Sequence, residues 1–284
     1  MAPKSIKYTQ LPRSEYSQTT LGQMNGFLIE TDQIQLRPLL LERDAPLLWG
    51  VYKNYPELFK YMPGGAHYCY ENFYKEQENF VTSGAFSNWA VYVSAPVVDK
   101  GEKEGEEEDE EKKWVLCGSI CLLDIVLRYR RFEIGAIWFH PSVQGTFVMV
   151  ETAYALLRFS FEKLRAGRVQ WKTHHQNLAS QKAATKLGFR EEGIFRKHMI
   201  HADGTWRHTL FYAMTDDEWF GREEGETVDG RAGLLVEAEK DGEEVEEGKK
   251  NEKGLQKRLE GVVEGRKKEG KPLTEGIVRG EALV

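Results

Sequence analysis

The segment from Arg131 to His174 constrains the fold more than any other part of the chain. Its first stretch, "RRFEIGAIWFH", is apolar on both faces, which predicts a central strand. A stripe of apolar residues at helical spacing follows from Thr146 to Leu164, and "RVQWKTH" then reads as another strand. A strand, a helix and a strand joined by short links predict a parallel crossover, which is almost always right-handed.

The link between the first strand and the helix, "VQGTFVMVETA", raises a question of function. A glycine turn that leads from a strand into a helix presents backbone N–H groups to a phosphate. Two residues after Gly145, however, stands the bulky Phe147. Either the backbone still binds an anion while the ring lies outside the cleft or over the ligand, or the ring packs against the helix start and the site has been lost.

Shorter patterns on either side complete one domain, which we place at residues 26–220. The stretches "NWAVYVSA" and "WVLCGSICLLDI" predict two further strands. "NLASQKAATKLGF" predicts a helix that ends at Gly188, and the pair Asp203-Gly204 predicts the turn of a final β-hairpin. Residues 1–25 show no such pattern, and we expect a flexible N-terminal arm there.

Two segments carry the acidic charge of the chain. Asp99 to Lys113 holds nine acidic and four basic residues, and residues 221–284 sum to −4, whereas the whole chain sums to −6. Such segments cannot build a core, so we predict an acidic loop insertion at 97–113 and a charged, Gly-rich disordered tail at 221–284. The remainder is mildly basic, which suits an anionic ligand but lacks the dense basic stripe that nucleic-acid binding requires.

The cysteines and the hydropathy favour a reducing, aqueous setting. Cys69, Cys117 and Cys121 are odd in number and form no close pair, which argues against a disulfide framework. The amino terminus lacks the apolar segment of a secretory signal, and no stretch approaches the about 18 apolar residues of a membrane span. We therefore expect a cytoplasmic protein without a membrane partner.

Four segments occur in an order that resembles the GNAT superfamily of acyl-CoA N-acyltransferases. They are "EIGAIWFHPSVQG", Glu151, "NLASQKAATKLGFREEG" and "RKHMIHADGTWRHTLFYAM". Over about Ile34 to Trp219, the sequence is most similar to the branch of RimJ- and RimL-type N-terminal acetyltransferases. The resemblance implies an α/β fold of GNAT type: a mixed, mostly antiparallel sheet with a splayed parallel central pair and helices on both faces.

The resemblance also implies acetyl-CoA as co-substrate and no metal. Backbone groups of the central strand would pair with the pantetheine arm, at positions assigned from the strand alone: Ile137, Trp138 and Phe139. Backbone N–H groups of the turn would bind the diphosphate: Gln144, Gly145, Thr146, Phe147 and Val148. The family pattern has Gly or Ala where Phe147 stands, so this resemblance does not decide between the two interpretations of the turn.

Three side chains are candidates for contact with the thioester or for chemistry. Asn177 and Ser180 match the Asn-x-x-Ser of the family, whose side chains approach the pantetheine arm and the thioester, although helix capping explains them too. Glu133 is the candidate general base, the alternative being a solvated strand charge or an ion pair with Arg131. Ser180 is the candidate proton donor to sulfur, because "QKAATKLGF" contains no tyrosine.

The implied activity is transfer of an acetyl group to a primary amine by direct attack on the thioester. The acceptor would be a protein N-terminus or a small amine, bound near aromatic residues of the first helices and the last hairpin. Those aromatic residues, which equally suit a core, are Trp49, Tyr52, Tyr55 and Tyr61. The alternative is a catalytically degraded GNAT-fold protein that binds CoA or another protein. For either function we expect a monomer or a homodimer.

Overall fold

The computed structural model describes residues 6–16, 26–83, 85–95, 113–222 and 258–264. Its strands are β1 Lys7–Gln10, β2 Phe27–Glu30, β3 Ile34–Pro38, β4 Ser87–Ala95, β5 Lys113–Val126, β6 Arg131–Phe139, β7 Arg168–His174, β8 Arg190–Ile200 and β9 Trp206–Thr215. Its helices are α1 Leu41–Tyr52, α2 Tyr70–Thr82, α3 Val148–Arg158, α4 Leu178–Lys186 and α5 Asp216–Phe220. A π-helical turn, Phe159–Lys163, extends α3.

The described strands form one sheet in the order β1-β2-β3-β4-β5-β6-β7-β9-β8. Within it only β6 and β7 run parallel, and α3 makes the crossover between them. The other neighbouring strands pair antiparallel. This confirms the parallel crossover that the sequence pattern predicted and the mixed, mostly antiparallel sheet that the resemblance implied.

Helices cover both faces of the sheet, and two consecutive residues of β6 show how. Successive side chains of a strand point to opposite faces. Trp138 packs into a cluster with residues of α1 and α2, whereas Phe139 packs into a larger cluster that includes the buried side of α3. The central strands are therefore buried on both faces, which explains the continuous apolar run of β6 in the sequence.

The strands that flank the acidic run pair with each other. Ala95 lies opposite Lys113, and the β4–β5 ladder continues from there to Ser87 and Leu122. Lys113, which the sequence placed in the loop insertion, is the first residue of β5. The rest of the predicted insertion, 97–112, lies outside the described residues.

The prediction of a flexible N-terminal arm is wrong for one segment. Lys7–Gln10 forms the edge strand β1 and pairs with Phe27–Glu30 of β2. Its four residues are exposed or half-buried. A strand at the edge of a sheet is held by backbone hydrogen bonds on one side, so it needs no alternation of apolar residues that the sequence could reveal.

The prediction of a disordered C-terminal tail also fails for one short segment. Residues 258–264 are helical, and Leu259 and Val263 are completely or almost completely buried in the main core. The hydroxyl of Tyr154 on α3 donates a 2.9 Å hydrogen bond to Glu260. Two apolar residues four apart make one side of a helix, but in a Gly- and Glu-rich context this signal was too weak to predict docking.

Shortening Leu259 to alanine is therefore expected to lower the free energy of unfolding by about 2–3 kcal/mol, because a buried leucine leaves a cavity when it is truncated. Urea denaturation of the whole chain measures this. Arg258→Ala, an exposed change on the same short helix, is the control and should change the free energy by no more than about 0.5 kcal/mol. An unchanged denaturation midpoint for Leu259→Ala would show that residues 258–264 do not dock in solution.

No helix within the described ranges combines the length and the apolar composition needed to cross a bilayer.

Candidate active site

The two parallel strands stay paired over only three residues each. Arg131–Glu133 of β6 lies opposite Arg168–Gln170 of β7. Beyond these pairs, β6 continues along β5 to Phe139, and β7 continues along β9 to His174. In the described part of the chain no ladder joins β6 and β7 past Glu133, so the strands splay there as predicted.

A bulge in β6 lies directly after the point of separation. Two residues of β6 separate Gly135 from Trp138, whereas one residue of β5 separates their partners, Cys121 and Ser119. Ala136 adopts the left-handed region there, with φ of 49°. Bulges of this kind redirect side chains and are frequent beside active sites. The three predicted pantetheine-binding positions, Ile137 to Phe139, therefore follow the bulge on the part of β6 that has left β7.

Glu133 lies at the point where the strands part, and it is 5% exposed. Lys172 Nζ on β7 lies 2.7 Å from its Oε2, a close ion pair, although the two groups are not aligned as a hydrogen bond. The pKa of Glu133 is raised, because burial disfavours the charged carboxylate more than the ammonium of Lys172 favours it. Glu133 is thus neither a solvated charge nor the partner of Arg131.

Asp124 completes this charged group, and sequence reasoning missed it. Its carboxylate accepts a 2.8 Å hydrogen bond from Lys172 and a 3.2 Å bond from Arg131. It occupies a bulge of β5 in the left-handed region, with φ of 47°, which aspartate tolerates better than most residues. The available signal was a single acidic residue inside the apolar run "LLDIV".

The turn before α3 leaves room for a ligand. Phe147 is 8% exposed and packs into the main core, so its ring does not fill the space over the turn. Gly145 has φ of 77°, a conformation that favours glycine, and a Cβ atom added there would meet no described atom within 4 Å other than those of its two chain neighbours. The side chain that departs from the family pattern is thus a core residue.

The amides of the turn are, however, partly engaged with the protein. The N–H of Gln144 donates to Pro141 O at 3.2 Å, and the N–H of Thr146 donates to Val143 O at 3.3 Å. The N–H of Val148 donates to Thr146 Oγ1 at 3.2 Å. These three bonds lie at the long end of the normal range. They make the predicted turn amides weaker candidates for a diphosphate than the sequence suggested.

The first turn of α3 offers further amide donors. Phe147 is the N-cap residue and supplies no side-chain hydrogen bond to the helix. The N–H groups of Met149 and Val150 lack an acceptor within the helix, as the first amides of any α-helix do. An anion at this end of α3 would also interact favourably with the helix dipole.

Asn177 and Ser180 stand at the start of α4, as the sequence predicted. Asn177 Oδ1 accepts a 3.1 Å hydrogen bond from the N–H of Ser180, so the capping function is real. Ser180 Oγ accepts a 2.9 Å bond from the indole N–H of Trp171 on β7. Both side chains are half-buried beside β7, and capping leaves the Asn177 amide N–H₂ and the Ser180 O–H as donors for other groups.

The four aromatic residues considered for an acceptor pocket divide into two pairs. Trp49 and Tyr52 stack on each other and belong to the cluster under α1 and α2, so they serve the core. Tyr55 contacts the ring of His140 before the phosphate turn, and Tyr61 contacts the ring of His174 at the end of β7. Tyr55 and Tyr61 thus lie against the residues that follow β6 and end β7, while Tyr52 also contacts Trp138 of β6.

The last hairpin contacts the connection between α1 and α2. His201 Nδ1 lies 3.2 Å from Met62 O, and the N–H of Ala202 donates to Pro63 O at 2.9 Å. The connection between α1 and α2 is thereby joined to the turn between β8 and β9. Among the described residues, no three histidine, cysteine, aspartate or glutamate side chains are arranged to hold a metal ion.

Comparison with known proteins agrees with this geometry. The sequence pattern of the acetyltransferase (GNAT) domain family matches residues 33–190, more than half of the chain. The chain belongs to the GNAT acetyltransferase family.

The individual GNAT proteins compared with this chain are only distantly similar to it in sequence. The uncharacterized N-acetyltransferase YnaD of Bacillus subtilis is 30% identical over 104 residues, which cover 35% of this chain and 60% of YnaD. The chain thus spans less than two thirds of that relative. RimJ of Mycobacterium smegmatis, solved with CoA-disulfide, has a TM-score of 0.51 at 18% identity, covering 76% of this chain and 89% of RimJ.

A second structure in the Rim branch is RimL, a ribosomal L7/L12 α-N-protein acetyltransferase. Its TM-score is 0.51 at 18% identity, covering 65% of this chain and 91% of RimL. At these identities RimJ and RimL show a shared GNAT fold. The resemblance to the RimJ and RimL branch that the sequence suggested is confirmed at the level of the fold.

Proposed function

We propose that this GNAT protein is an acetyl-CoA-dependent N-acetyltransferase that acts on a primary amine by direct attack on the thioester. One observation carries the proposal: a buried carboxylate, Glu133, lies at the point where the parallel strands β6 and β7 separate. Amine acetylation needs a base beside the thioester. In a GNAT protein the thioester enters the gap between the splayed strands.

Glu133 accepts the proton that the acceptor ammonium must lose. Burial raises the pKa of this carboxyl group, which makes the carboxylate a stronger base than an exposed glutamate. Lys172, held by Asp124 at 2.8 Å, keeps the Glu133 side chain in place between β6 and β7. Proton transfer to Glu133 also removes a negative charge that its buried environment disfavours.

Ser180 donates a proton to the leaving sulfur. Its Oγ accepts from Trp171, so its own O–H is directed elsewhere. Trp171 and Lys172 are consecutive on β7 and project to opposite faces. Ser180 and Glu133 therefore lie toward opposite faces of the sheet at β7, and in this proposal the thioester passes between β6 and β7 to meet both groups.

The start of α3 holds the diphosphate of acetyl-CoA in this proposal, through Gly145 and the amides that follow it. The open space over Gly145 supports this assignment. The turn amides from Gln144 to Val148 serve only after their long internal bonds yield to the ligand, and the pantetheine arm pairs with the backbone of Ile137 to Phe139. Acetyl-CoA brings the acyl group, and no metal takes part.

Saturating acetyl-CoA is expected to stabilise the protein against unfolding. At about 100 times Kd the free energy of unfolding should rise by about 2.7 kcal/mol, because the ligand binds only the folded state. A thermal or urea melt with and without acetyl-CoA measures this, with free adenosine as the control ligand. Release of free thiol in the presence of amines then tests catalysis.

The second candidate function is a binding module without catalysis, favoured by the internal bonds of the turn amides at Gln144, Thr146 and Val148. A module of this kind would show no stabilisation by millimolar acetyl-CoA. Stabilisation without thiol release, over a panel of amines and N-terminal peptides, would indicate a protein that only binds the cofactor.

The acceptor in this proposal is a primary amine from one of two sources. RimL, an α-N-protein acetyltransferase of ribosomal L7/L12, supports a protein N-terminus as one acceptor here. A small amine is the other, and either would enter between Tyr61 and the β8–β9 hairpin. We expect this reaction in the cytoplasm, by a monomer or homodimer.

A further inference from the structure

One face of the sheet collects charged and imidazole side chains around Glu133. Residues directly opposite each other in neighbouring strands share a face. Gln170 lies opposite Glu133, and two residues further along β7 stands Lys172, opposite Phe211 of β9. Because every second side chain of a strand points to the same face, Thr209 and Arg207 of β9 share this face with Phe211.

Arg207 differs from the other cations on this face because no carboxylate accompanies it. The residue is 7% exposed, and its Nε, fully enclosed, has no hydrogen-bond acceptor among the described residues. The ion pairs of the described chain include Lys172 with Glu133 and Asp124, and Arg131 with Asp124, but none that involves Arg207.

Among the described residues, the groups around Arg207 do not supply the missing negative charge, and its histidine neighbours are pushed toward their neutral form. The pKa of His174 falls to about 4, because of burial first and then the charges of neighbours that include Arg207. Burial, followed by the charges of Lys172 and Arg207, also lowers the pKa of His198. Burial lowers the pKa of Arg207 itself, and Glu133 is the carboxylate that acts on it, from a distance.

A buried guanidinium without a counter-ion is costly, and a protein keeps one where a ligand supplies the missing charge. The planar fork of arginine matches a carboxylate with two parallel hydrogen bonds. Arg207 lies on the face of Glu133, away from the turn at Gly145, so a diphosphate held at the start of α3 does not meet this need.

Building on the proposed N-acetyltransferase function, we propose that Arg207 binds a carboxylate of the acceptor, so that the protein selects amines that carry a nearby negative charge. The acceptor amine then lies toward Glu133 while its carboxylate rests on Arg207. Two sources share this chemistry: the terminal carboxylate of a small amino-acid-like acceptor, and an acidic side chain next to a protein N-terminus.

Matched acceptor pairs distinguish these sources without altering the amine. Alanyl-alanine against its C-terminal amide tests a terminal carboxylate. Alanyl-glutamate amide against alanyl-glutamine amide tests an acidic side chain at the second position. We expect kcat/KM, followed by thiol release, to favour the carboxylate at least about tenfold in one pair. Calorimetric binding of the same pairs to the CoA-loaded protein gives the comparison without turnover.

Arg207→Gln should abolish the preference, and Arg207→Lys should restore part of it, because lysine keeps the charge but not the fork. Arg196→Gln is the matched control, since Arg196 lies exposed on the same hairpin, and it should keep the full preference. A melting curve with acetyl-CoA confirms that each variant folds and binds the co-substrate.

Equal use and equal binding of both members in both pairs by the unaltered protein would overturn the inference, as would an Arg207→Gln variant that keeps the preference. These outcomes differ from failure of the proposed function, in which acetyl-CoA causes no stabilisation and no amine releases thiol. Acetylation of amines without regard to their charge would support the proposed function and contradict the role of Arg207 in selecting the acceptor.

Discussion

Replacing Glu133 with glutamine is expected to lower kcat by about 10²–10⁴-fold, the usual contribution of a positioned general base. Glutamine keeps the size of the side chain but cannot accept the ammonium proton. Acetyl-CoA stabilisation against unfolding should stay unchanged, because Glu133 lies at the junction of β6 and β7 and not at the start of α3. Steady-state thiol release and a parallel melt measure the two effects.

The pH dependence makes this test specific. The pKa of Glu133 is raised by burial, so the rate should increase as pH rises through a value above the ordinary range of a glutamate. Below that pH the carboxyl group is protonated and cannot act as a base. In Glu133→Gln this limb of the profile should vanish, whereas Glu71→Gln, an exposed change on α2, should preserve it. A profile with the same limb in both variants would remove Glu133 from the mechanism.

Truncating Phe147 to alanine is expected to reduce the free energy of unfolding by about 3–5 kcal/mol, the cost of removing a buried aromatic ring. The ring is 8% exposed and lies in the main core beneath α3. Its position at the N-cap adds little, because it makes no capping hydrogen bond there. Urea denaturation measures the loss, and Phe195→Ala, which removes a 55% exposed ring from β8, should cost about 1 kcal/mol or less.

The same variant tests how the ring of Phe147 lies relative to a ligand at the phosphate turn. If Phe147 packs the helix start and leaves the turn open, acetyl-CoA should still bind the fraction of Phe147→Ala that remains folded, with Kd within a few-fold of the unaltered protein. A variant that kept its stability while gaining affinity would mean that the ring covers the ligand site instead. A variant that was stable but lost binding would mean that the ring contacts acetyl-CoA directly.

Local sequence signals predicted the central units well because their information is short-ranged. The continuous apolar run of β6 indicated a strand buried on both faces, and Asp203-Gly204 indicated a tight turn, where Gly204 indeed has φ of 83°. The pattern of α4 placed its end at Gly188, which adopts φ of 91°. Each of these features depends on the conformations of a few neighbouring residues.

Signals failed where a segment depends on distant partners. The edge strand Lys7–Gln10 is held by its ladder to Phe27–Glu30, and Leu259 and Val263 are held by the main core, so neither segment carries a local pattern strong enough to predict its structure.

The sequence by itself determined the family, the order of the central strands and helices, and Glu133 as the candidate general base. Only the tertiary structure decided that Lys172 and Asp124 surround Glu133, that Phe147 turns into the core, and that Arg207 lies enclosed without a carboxylate. The physical reason is distance along the chain. The ladders between β6 and β7 and between β7 and β9 join residues that are far apart in sequence. Burial and electrostatic balance at these residues exist only after the sheet has formed.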